Sequence, residues 1–164
     1  MSTPDVTATL TFWNGEEPPR SEADFAAFMV AEVASRPAVD EQGGTLTIQS
    51  GEVSVAVGDL LHIMMSNFCL LAVGEVIKSG EGSFLGWLSE DTFTLKRVGD
   101  DVEVASEYQD TARFPLRPFA QALHAAASRY IAMVTLFWDE DEMAQLDKWR
   151  EMAGQTKALI DAMA

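Results

Sequence analysis

At 164 residues with 48% hydrophobic side chains, the chain has the length of one ordinary domain and enough apolar volume for a core, which excludes a disordered or disulfide-stapled scaffold. Its 26 acidic against 11 basic residues give a net charge of −15, a field that repels nucleic acid and anionic lipid and draws in cationic protein surfaces, although acidity also serves plain solubility. Cys69 is the lone cysteine, so neither an intramolecular disulfide nor a multi-cysteine zinc site is available, and it is read as a small core hydrophobe.

In chain order, Val6, Ala8, Leu10 and Phe12 alternate with Thr7, Thr9 and Thr11, the period of a strand with one buried face, ending at Asn14-Gly15. Pro18-Pro19 reads as a break. Ser21 with Asp24 three positions on predicts a capped helix through Phe25, Phe28, Met29, Glu32 and Val33, stopped by Pro37. Gly43-Gly44 reads as a polar loop, followed by a hairpin of Leu46 and Ile48 against Val53, Val55 and Val57 about the Ser50-Gly51 turn. From Asp59, taken as a cap, Leu60, Met64, Phe68 and Leu71 fit one side of a helix reaching toward Ile77, with Gly74 arguing for a buried strand instead.

Ser83 to Ser106 reads as three short strands, the first holding Phe84, Leu85, Trp87 and Leu88, and the last two joined at Gly99-Asp100. Phe114-Pro115 reads as a second break. Pro118 then suits a first helical turn, with Phe119, Leu123, Ala126, Tyr130, Met133 and Phe137 as its apolar stripe. A final helix follows Asp139-Glu140-Asp141-Glu142, with Met143, Leu146, Trp149, Ala153, Ile160 and Met163 on one side. The order of elements predicts one α+β domain over residues 1–164, with an antiparallel sheet of about five or six strands and about four helices, two of them C-terminal. The apolar stretches Leu60–Gly74 and Tyr130–Trp138 read as too short or too interrupted to cross a bilayer, and no secretory signal is seen, so the expected location is cytoplasmic.

Few reactive side chains fall at useful spacing. Asp59, His62 and Ser66 share one helix face in the manner of a small triad, but a capping Asp59 spends its oxygen on a backbone N–H, and a serine on a regular helix lacks oxyanion donors. His62 and Cys69 lie roughly 10 Å apart along the helix axis, too far for direct proton exchange. His124, beside Gln121 and Ser128, reads as a half-exposed helix residue. The acids at 139–142 lack the glycine and spacing of a calcium loop, and no phosphate-cradling glycine motif occurs. Basic residues are scattered, with Lys96-Arg97 the single adjacent pair, and this argues against nucleic-acid recognition. Neither catalytic residues, nor a metal, nor a cofactor is therefore expected.

The Phe93-Thr94-Leu95 strand, the Val98-Gly99-Asp100-Asp101-Val102-Glu103-Val104 hairpin, and Phe114-Pro115-Leu116 leading into a helix near Tyr130 together resemble small bacterial immunity proteins of polymorphic toxin systems. The resemblance covers residues 93–130 and transfers no functional residue. It implies a non-catalytic protein that neutralises a toxin by steric and electrostatic blockade, acidic side chains meeting a basic surface. Local concentrations of negative charge nominate Glu90, Asp91, Asp100, Asp101, Asp139, Glu140, Asp141 and Glu142 as partner contacts. Two alternatives stay open: a homodimer through the methionine- and tryptophan-bearing last helix, and a small enzyme or ligand-binding domain with a pocket near His62 or His124. Neither nucleic acid nor a membrane is an expected partner.

Overall fold

The computed structural model describes residues 5–31, 41–136 and 143–163. Alternation builds the first sheet. Strands β1 (Thr7–Asn14), β3 (Gly43–Ser50) and β4 (Val53–Leu60) pair antiparallel, with Leu10 opposite Leu46 and Leu46 opposite Val57. Period two then places these residues, with Ala8, Ile48 and Val55, on the buried face, while Thr9, Thr47 and Ala56 lie on the other. Gly43-Gly44, read from sequence as a loop, begins β3.

Pro18-Pro19 does not break the chain either: it lies within β2 (Glu17–Ser21), which pairs with β1 at the sheet's edge, where a missing N–H costs no ladder bond. Helix α1 (Glu22–Ala31) starts as its sequence predicts, the Asp24 N–H donating to Ser21 Oγ at 3.2 Å. It is seated by Phe25, whose ring stacks on Phe12 with centroids 3.9 Å apart. The expected end at Pro37, with Glu32 and Val33, lies outside the described residues.

Residues Leu61–Ser79 form one helix, α2, whose middle, Met64–Ala72, is π-wound. It is long and apolar enough to cross a membrane by length and composition alone, yet Leu61, Met64, Phe68, Cys69, Val73 and Val76 are buried in the core. Asp59 is not its cap but a residue of β4.

The second sheet runs β5 (Glu81–Leu85), β6 (Thr92–Val98), β7 (Asp101–Ala105) and β8 (Ala112–Pro115), all antiparallel and in sequence order. Gly99, at φ 63°, makes the β6–β7 turn as expected. The fold class is thus α+β, but with two four-stranded sheets rather than one of five or six strands. The two unexpected strands, β2 and β8, contain the prolines whose sequence predicts breaks, and both lie at sheet edges.

Helix α3 (Leu116–Thr135) buries Phe119, Leu123, Ala126 and Tyr130, while Met133 is partly buried and Phe137 lies outside the described residues. Helix α4 (Met143–Asp161) lies against α2 and α3. Both sheets and the helices contribute to one hydrophobic core. At the free edge of β4, the Gln109 side chain substitutes for a strand: its Oε1 accepts the Ala56 N–H at 3.0 Å and its Nε2 donates to the Ala56 carbonyl at 2.6 Å.

Buried Thr156 of α4 donates its hydroxyl to the Leu70 carbonyl in the π-wound turn at 3.1 Å. Thr156→Val leaves that carbonyl without the bond and is expected to lower stability by about 1–2 kcal/mol. Urea unfolding checks this, with exposed Thr7→Val as a control expected to stay within about 0.5 kcal/mol of the parent.

Candidate functional site

An aspartate placed in the inward-facing register of a strand must find donors from the chain, because water is excluded there. Asp59 is in this position, at 0% exposure on β4. Its donors come from the loop joining β5 to β6. The Leu88 N–H lies 3.2 Å from both carboxylate oxygens, the Ser89 N–H 3.4 Å from Oδ2, and the Ser89 hydroxyl 3.2 Å from Oδ2. The Leu60 N–H adds a donor at 2.7 Å to Oδ1. Successive backbone N–H groups turned onto one anion make a small nest, here occupied by the protein's own carboxylate.

Glycine at 86 allows this closure. A Cβ there would overlap Ser89 Oγ and lie 2.6 Å from Asp59 Oδ2. The loop is further closed by the Gly86 N–H donating to the Asp91 carbonyl at 2.8 Å and the Asp91 N–H donating to Ser89 Oγ at 3.3 Å. Its Leu88 and Ser89 donors point inward while its large apolar side chains are exposed, Trp87 at 71% and Leu88 at 52%, next to Leu85 at 68% at the end of β5. Trp87 and Leu88, expected within a strand, are therefore loop residues. The β7–β8 connection, at the same end of the second sheet, adds Tyr108 at 73% exposure. Burying such side chains is favourable by about 1.5–3 kcal/mol each, so leaving them in solvent on a braced loop marks a surface suited to a partner.

The nominated acids are dispersed. Glu90 sits in this loop, exposed, with a left-handed φ of 53°, a conformation that costs a side chain about 1–2 kcal/mol. Asp91 is buried and closes the loop, so it is not a surface contact; its Oδ1 has no hydrogen-bond partner among the described residues. Asp100 and Asp101 lie beyond the other end of β6, roughly 20 Å away by strand length, so the two acidic pairs do not form one face. Asp139, Glu140, Asp141 and Glu142 lie outside the described residues.

The suggested Asp59, His62 and Ser66 grouping does not assemble. Asp59 faces the loop, and the Ser66 hydroxyl donates to the His62 carbonyl at 2.7 Å rather than approaching the ring. The His62 ring stacks near Trp149, centroids 6.4 Å apart. His124 Nε2 is 3.0 Å from the Ala153 carbonyl and bridges α3 to α4. No histidine lines the clefts formed around Arg97 and Arg117, Ser128 and Arg150, Glu75 and Lys96, Tyr108 and Gln109, or Trp13 and Gln42. Cys69 is buried, and burial pushes its thiol well above the ordinary range, with Arg129 opposing weakly. Tyr130 is shifted upward by burial too. Of the methionine and tryptophan face suggested for dimerisation, Trp149 is turned inward against the core, while Met143, Met152 and Met163 are partly buried.

Among the described residues no three His, Cys, Asp or Glu side chains gather closely enough to hold a metal. Comparison with protein-family models, curated proteins and solved structures returns no match to this chain.

Two substitutions test the brace. Asp59→Asn turns an N–H2 toward N–H donors and is expected to cost about 2–3 kcal/mol, and Gly86→Ala about 2 kcal/mol. Hydrogen exchange at the Leu88 and Ser89 amides is expected to accelerate in both variants ahead of global unfolding. Unchanged protection at those amides would mean that the carboxylate does not hold the loop.

Proposed function

We propose that this chain is an acidic binding protein that captures a cationic protein through the β5–β6 loop, acting like an immunity protein that blocks a toxin sterically and electrostatically. The observation that carries the reading is the exposure of Trp87 and Leu88, next to exposed Leu85 at the end of β5, on a loop clasped around buried Asp59. A preorganised loop loses little entropy on binding, and tryptophan is among the side chains most often found as an energetic anchor in interfaces. Tyr108 is exposed on the connection at the same end of the second sheet, and Glu90 supplies a carboxylate beside the anchors. The net charge of −15 complements a basic partner and raises the rate of encounter. A cytoplasmic location is part of the same proposal.

The test is recovery of the partner from the native organism by the parent chain and by Trp87→Ala and Leu88→Ala variants, followed by titration with the purified partner. A basic protein is expected, with affinity falling as salt rises and Trp87→Ala weakening binding by about 30-fold or more. An association indifferent to ionic strength, or unaffected by both substitutions, overturns the proposal.

A further inference from the structure

Among the described residues, four basic side chains are paired with neighbouring acids: Arg113 with Glu103, Arg129 with Glu22, Arg150 with Asp147 and Lys157 with Asp161. Lys78, Arg97 and Arg117 form no ion pair among the described residues. Far apart in sequence, they line one cleft of about 520 Å³. The end of α2 brings Lys78, the end of β6 brings Arg97, and the start of α3 brings Arg117. Leu116 and Leu159 form part of its apolar wall, and among the described residues Asp100 is the one acid lining it.

Each arginine spends a single N–H on the chain. Arg97 Nε donates to the Gly99 carbonyl at 3.0 Å, and Arg117 Nη1 to the Met163 carbonyl at 3.3 Å. These bonds anchor both guanidinium groups while leaving most of their five N–H donors for a ligand. The α3 N-terminus adds its positive dipole end. Among the described residues, three cations against Asp100 leave the lining a formal charge of +2 (3 − 1) within a strongly acidic protein.

We propose that this cleft binds a small organic dianion, a phosphate monoester or a dicarboxylate, whose apolar part rests on Leu116 and Leu159. Two negative charges match the local excess. The planar guanidinium fork suits the paired oxygens of either anion, which an ammonium alone does not. The site is separate from the loop surface around Trp87, which lies at the other end of β6.

Calorimetric titration of the intact chain with phenyl phosphate, phthalate, inorganic phosphate and phenol tests the assignment. At least one of the two aromatic dianions is expected to bind one-to-one and several-fold more tightly than inorganic phosphate, and phenol is expected not to bind. Which dianion binds better distinguishes the phosphate from the dicarboxylate source. Arg97→Gln and Arg117→Gln are each expected to weaken binding about tenfold, the loss of a charge-assisted contact. If instead the cations serve only to compensate the C-terminal ends of α2 and α4, the substitutions lower the melting temperature and neither dianion binds, which overturns the proposal. Binding undiminished in the Arg97→Gln, Arg117→Gln double variant, with the fold confirmed by circular dichroism, overturns it as well.

Discussion

A carboxylate sealed from water is the constraint around which this molecule is arranged. Asp59 sits on the edge strand of the first sheet, and its donors come largely from the loop between the first two strands of the second. Leaving such a group without donors would cost several kcal/mol, so the loop and the strand are coupled: neither keeps its conformation without the other. Three residues earlier on β4, Ala56 is held by Gln109 from the β7–β8 connection. An antiparallel meander places these two connections at the same end of the second sheet. The edge of the first sheet is thereby covered by polar contacts from the second, which protects it from pairing with another chain.

The same arrangement explains why apolar side chains are displayed at that end. The Leu88 and Ser89 N–H groups and the Ser89 hydroxyl are turned inward to meet Asp59, and the Trp87 and Leu88 side chains are left exposed. Glu90 keeps a left-handed backbone where glycine or asparagine is the comfortable choice. Strain of that kind persists only where surrounding contacts over-determine it, here the bonds on either side at Ser89 and Asp91. Rigidity, exposure and charge thus coincide in one short segment, a combination that helix packing or sheet closure does not require.

Local rules account for most of what could be read from the residues. Threonine and apolar alternation marked β1, the Gly99 turn marked the β6–β7 hairpin, and Ser21 marked the start of α1, because each depends on neighbours within a few positions. Pro18-Pro19 and Pro115 misled for a physical reason: a proline forbids a central strand but not an edge strand, and edge position is a property of the assembled sheet. Long-range features were invisible. Asp59 looked like a helix cap because a cap and a buried brace share the same residue type, and only the approach of residues 86–89, some thirty positions on, separates them. The scattered cations looked unremarkable for the same reason, since Lys78, Arg97 and Arg117 meet only once α2, β6 and α3 have packed.

The two surfaces also differ in electrostatic character, and distance keeps them independent. β6 spans seven residues, about 23 Å when extended, with the loop bearing Trp87 and Glu90 at its start and the cleft lined by Arg97 and Asp100 at its end. At physiological ionic strength the Debye length is about 8 Å, so charge placed in the cleft is largely screened at the loop. An anion bound at one end therefore neither recruits nor repels a cationic protein at the other through the solvent. Communication between them would have to pass mechanically along β6, whose Phe93 and Leu95 are locked into the common core on the face shared with Phe84 and Val104. A strand packed in this way resists sliding by less than a full two-residue step, because a one-residue slip would turn its apolar side chains to the solvent.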